Sequence, residues 1–124
     1  MCDKCGPENL TSGELELIND AREDDVSFAW VLIHLGIVGN PPPTPLWRPS
    51  VSDVDQALSK LDALASRGCI VVGRLELTGQ VSERGVPRVR HVSESLDEIR
   101  ARVISALAMP DAFEWETSCW VVAP

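Results

Sequence analysis

The sequence predicts an α+β domain: three helices ahead of a small antiparallel sheet, with a further helix and a C-terminal strand behind it. Three observations predict this. Apolar residues recur at helical spacing in several separate stretches. "CIVVGRLEL" and "TSCWVVA" have the length and β-branched content of strands. Gly68, between the third helical stretch and the first of those strands, sits where a helix stop belongs. A chain of 124 residues has length for one domain with a core of its own. Residues 1–9 are expected to be a flexible tail and residues 10–124 the domain.

The first helix is announced by "LTSGE". Thr11 and Glu14 have capping-box spacing, and Leu10 and Leu15 can staple it. Leu15, Ile18 and Ala21 then mark its inner face. "EDDVS" breaks or bends it, and Asp24 or Asp25 can cap a second helix from Val26 to about Ile37. Ten of the thirteen residues from Val26 to Val38 are apolar, so that helix is expected to be buried nearly all round. A central strand is the competing reading. Five prolines between Pro41 and Pro49 exclude helix and inner strand and predict an extended connector. It should lay Leu46 and Trp47 on the core.

Ser52 is a fitting N-cap for the third helix. Val54, Ala57, Leu58, Leu61, Leu64 and Ala65 form its apolar stripe. A strand over Cys69–Leu77 follows. Gly79 and Gly85 mark turns, and Val86–Val92 can pair back as a short strand. Ser95 and Glu98 repeat the capping-box spacing and open a fourth helix with Leu96, Ile99, Val103, Ala106 and Leu107 inward. The final strand, Thr117–Ala123, pairs most cheaply beside the Cys69–Leu77 strand.

The order up to Val92, and the junction "ALSKLDALASRGCIVV" in particular, resembles the winged-helix proteins. That resemblance implies a DNA-reading third helix followed by a wing. More faintly, the chain is similar to small acidic actinobacterial proteins and bacterial immunity proteins.

Charge argues against the DNA role. The net charge is -8, and affinity for DNA rests on neutralising phosphates. The outward positions of the third helix carry Asp53, Asp55 and Asp62 against Lys60 and Arg67. A counterweight lies further on, where Arg84, Arg88 and Arg90 occupy the expected wing. The acids concentrate near the start: Thr11–Asp25 holds six of them and one base. Only first-turn acids gain from the helix dipole. Asp20, Glu23, Asp24 and Asp25 are therefore candidate contacts to a basic protein partner.

Other chemistry is sparse. "CDKC" at Cys2 and Cys5 has ligand-like spacing but no second pair, so no metal is expected. No disulfide framework is expected either, and Cys69 and Cys119 read as small core residues. His34 reads as a core histidine and His91 as a solvated one. No nucleophile elbow, phosphate loop or paired-histidine motif occurs. Trp30 and Trp47 are expected in the core. Trp115, between Glu114 and Glu116, is either a cover on the core or an anchor for a partner.

The expectation is a non-enzymatic, cofactor-free, cytoplasmic protein-binding domain that touches no membrane, of the kind used by immunity or antitoxin-like inhibitors. The alternative is a transcription regulator that uses the arginine-rich wing.

Overall fold

The computed structural model describes residues 5–124. Its elements run α1 (Ser12–Glu23), β1 (Val26–Ser27), α2 (Phe28–His34), α3 (Val51–Ser66), β2 (Val71–Val81), β3 (Pro87–Ser93), α4 (Leu96–Leu107), α5 (Ala112–Glu116) and β4 (Trp120–Val122). The fold is α+β. Its antiparallel sheet has the order β1-β4-β2-β3. The element order is compatible with a winged helix, with β4 inserted between β1 and the β2–β3 hairpin.

Local signals set the helix ends. Thr11 and Glu14 form the capping box of α1 in both directions. The cap of α3 falls at Ser50, two residues before the expected Ser52, because Asp53 completes a box with Ser50. Ser95 caps α4 through the Glu98 N–H, while its hydroxyl donates to the Glu98 carboxylate. At the end of α3, Cys69 N–H donates to Leu64 O and Gly68 N–H to Ala65 O. This is the Schellman pattern, and Gly68 carries its left-handed φ of 77°.

The stripe predicted for α3 lies in the core, whereas α1 buries Leu17 with Ile18 and Ala21 and leaves the expected Leu15 only partly buried. Val54, Ala57, Leu58, Leu61 and Leu64 of α3 are buried with Leu17 and Ile18 of α1 and Ile99 and Val103 of α4. Register adds a row of valines across three strands, Val26 opposite Val121 opposite Val72, all buried. Gly73 allows the close approach of β3: a Cβ there would sit 1.8 Å from Val92 O.

Further expectations are corrected, among them that Leu46 lies on the core, since it is 90% exposed. The second helix does not begin at Val26; Val26 and Ser27 pair with β4, and α2 starts at Phe28. Aspartates do not cap it, since Ser27 is its N-cap. The last strand is shorter than Thr117–Ala123, because Ala112–Glu116 winds into α5 first. Cys69 is buried as expected, yet it is bonded to Cys5 by a disulfide across 64 residues. The Schellman turn presents Cys69 to the N-terminal segment, a proximity that spacing along the chain cannot reveal. Cys2 lies outside the described residues. The distal part of β2–β3 leaves the body as an arm that exposes Leu77, Val81, Val86 and Val89.

Candidate functional site: an acidic corner around Trp30

The site forms where α1 ends and α2 begins. Asp24 terminates α1 in extended conformation, its N–H still donating to Asp20 O. Its carboxylate turns back to accept from Asp25 N–H at 2.8 Å. The chain then enters β1, and Ala123 N–H ties the C-terminal segment to Ala21 O at 3.2 Å. Trp30 is the third residue of α2 and projects from its first turn.

Helical geometry decides where Trp30 points. Phe28, Val31 and Leu32 are buried. Trp30 lies two residues, roughly 200° of arc, from both Phe28 and Leu32. It is 49% exposed, against the expectation of a core residue. The i, i+3, i+4 spacing of Phe28, Val31 and Leu32 was the available signal, obscured by the apolar character of the whole run.

Asp20, Glu23, Asp24 and Asp25, the four acids singled out from the sequence, come together with Val26 and Trp30 around one cleft of about 240 Å³. His34, its side chain 10% exposed, lies beside the corner. Its ring lies 6.1 Å from the Trp30 ring. Its Nε2 is 2.7 Å from Asp20 Oδ2 and its Nδ1 3.5 Å from Glu16 Oε2. The Nε2 approach is short but is not aligned as a hydrogen bond. Among the described residues no lysine or arginine pairs with any of the four acids.

Such an arrangement suits an organic cation. The carboxylates accept charge-assisted hydrogen bonds, and the open indole face offers a cation–π contact. It does not suit a metal: no three acidic, histidine or cysteine groups among the described residues converge as ligands would.

The other sequence candidates are placed as follows. Trp115 is the cover and not the anchor. It is 4% exposed and packs edge-on against Trp47, with ring centroids 5.9 Å apart. Arg90 is engaged by Glu76, which also accepts from Arg74 at 2.9 Å. Arg84 and Arg88 are exposed on the arm. The third helix is flanked by α4, whose Arg100 Nε meets Asp55 Oδ1 at 2.6 Å. Salt-bridge formation holds the Asp55 carboxyl below its usual range. His91 is not simply solvated; its Nε2 lies 3.0 Å from Trp120 O. Burial pushes the Cys119 thiol up to about 12, which makes it an inert core group.

No helix among the described residues is long and apolar enough to cross a membrane. Compared with family models, curated proteins and solved structures, the chain matches none.

Proposed function

We propose that this chain is a non-enzymatic protein-binding domain, an immunity- or antitoxin-like inhibitor that captures a basic partner at the acidic corner. The observation that carries this reading is the placement of uncompensated carboxylates around a half-exposed tryptophan. Glu23, Asp24 and Asp25 lie at the C-terminal end of α1, where the helix dipole disfavours negative charge. Their repulsion is not relieved by any arginine or lysine among the described residues. Groups that cost stability and meet no arginine or lysine among the described residues are better explained by an external partner. Trp30 supplies the aromatic contact that anchors interfaces.

The test replaces Asp20, Glu23, Asp24 and Asp25 with their amides and follows association with the cognate basic partner. Association at low salt should slow about tenfold or more, the range that steering supplies, and the wild-type rate should fall with added salt. Unchanged association kinetics would remove this reading and leave the cluster as a solubility feature.

Exposed Arg84 and Arg88 support a second reading, a winged-helix regulator that docks its arm on DNA. Arg90 is occupied by Glu76, and α4 with Arg100 flanks α3, so fewer cations reach phosphates than the sequence offers. Retention on heparin at moderate salt would favour the regulator, and passage through the column the inhibitor. The Cys5–Cys69 bridge is of a kind that oxidising compartments preserve, which weighs against the expected cytoplasmic location.

A further inference from the structure

The sheet has two edges. β1 forms one, beside the acidic corner, and β3 forms the other. The backbone of the β3 edge can be read from one bond. Glu94 N–H donates to Val72 O at 3.2 Å, continuing the ladder that pairs Gly73 with Ser93. Bonded and non-bonded pairs alternate along an antiparallel ladder. Val92 and Arg90 therefore turn their backbone groups toward β2, whereas Val89, His91 and Ser93 turn theirs to the open edge. Among the described residues no strand lies beyond β3 to meet them.

Side chains along this edge are sorted by face. Residues paired across a ladder share a face, so Val89 stands with Leu77 and Arg90 with Glu76. Val89 and Leu77 are exposed. Arg88 shares the face of Arg90 by alternation. No carboxylate among the described residues pairs with Arg88, or with Arg84 on the hairpin tip. Residues 74–92 hold four arginines against two glutamates, so the arm is positive on a chain of net charge -8. A second copy suits this edge poorly. Pairing two β3 edges would gather Arg88 and Arg90 of both copies on one face, where like charges repel. Nucleic acid suits it poorly too, since outward carbonyls and the Val89–Leu77 face offer nothing to phosphate.

We propose that the β3 edge binds an extended segment of a partner protein in which acidic residues alternate with apolar ones. The segment adds as a further strand. Its backbone bonds to Val89, His91 and Ser93, its acidic residues lie beside Arg88, and its apolar residues lie beside Val89. This edge is across the sheet from β1, so its failure to bind would leave the inhibitor reading untouched.

The probe is a capped peptide of alternating glutamate and valine, matched to the 7 residues of β3, added to the 15N-labelled full chain at low salt. The amide peaks of Val89, His91 and Ser93 should move downfield together, and those of Arg90 and Val92, already bonded to β2, much less. The dissociation constant should be on the order of 0.1–1 mM, as one short strand supplies. Lysine in place of glutamate should weaken binding about tenfold or more. Methylating the backbone nitrogens of either the glutamates or the valines should abolish binding in one of the two cases, because only every second N–H faces β3. In Arg84→Glu with Arg88→Glu, the preference between the glutamate and lysine peptides should reverse. If that variant does not fold, the probe comparisons on the native chain decide. Equal movement of all these amides, binding that survives in both methylated peptides, or an oligothymidylate that moves the same amides as strongly would overturn the proposal. So would amides that stay in place at millimolar peptide, which would leave the arginines as guards against edge pairing.

Discussion

Two groups of carboxylates in this molecule have opposite fates. On the sheet and α4, acids are matched to arginines. Glu94, its side chain 7% exposed, takes two hydrogen bonds from Arg102 at 2.8 and 2.5 Å, and Arg102 Nε also donates to Ser118 O at 2.7 Å. Asp55 meets Arg100, and Glu76 meets Arg74 and Arg90. At the end of α1, Asp20, Glu23, Asp24 and Asp25 have only His34 among them. The first group ties strand to strand and helix to helix, Asp55 reaching Arg100 across 45 residues. The second meets no arginine or lysine among the described residues. The same chemical group therefore acts as structural cement in one region and as unspent charge in the other.

The largest effect should come from breaking the cement. Arg102→Ala leaves buried Glu94 with only the more distant Arg74, at 3.8 Å, as counter-charge among the described residues and frees Ser118 O. It should cost about 3 kcal/mol in urea unfolding, the low end for a broken buried pair because the Arg102 side chain is 32% exposed. A loss below about 1 kcal/mol would place this pair with ordinary surface bridges.

A pH series sharpens the same contrast. Hydrogen bonding from Arg102, aided by the charges of Arg102, Arg74 and His91, holds the Glu94 carboxyl below its usual range. A lowered folded-state value means stability that is complete above the unfolded-state value and lost as pH falls through the folded one. The urea midpoint should therefore drop as pH falls from about 5 to about 3. Glu94→Gln should flatten that drop. A drop of the same size in the variant would assign it to other carboxylates.

The smallest effect should have the opposite sign. Asp24→Asn with Asp25→Asn removes two charges from the unfavourable end of α1. It should raise stability by about 0.5 kcal/mol, and less at high salt. A clear loss of stability would mean that these acids have structural work, and the contrast between the regions would weaken.

Much of the fold was legible because it rests on short-range rules. The Thr11–Glu14 box, the α3 stripe through Leu61 and the Gly68 stop each depend on residues within a few positions of one another, and the structure contains all three. Of the candidate site, the four acids were legible from their count and position along α1. Their aromatic companion was not. Trp30 was hidden inside an apolar run whose exposed face only the start of α2 at Phe28 defines.

By itself, then, the sequence determined the α+β class, the core faces of α3 and α4, and the segregation of acid toward the start and arginine toward the end. These follow from backbone periodicity and from charge counting, which need no knowledge of distant neighbours. Only the tertiary structure decided which acids the arginines would neutralise, that Cys5 would meet Cys69, and that Trp115 would be buried while Trp30 stayed in the open. Each of those outcomes depends on through-space distances, over as many as 64 residues of chain for Cys5 and Cys69. Such distances are set when the helices close on the sheet, and no local pattern encodes them.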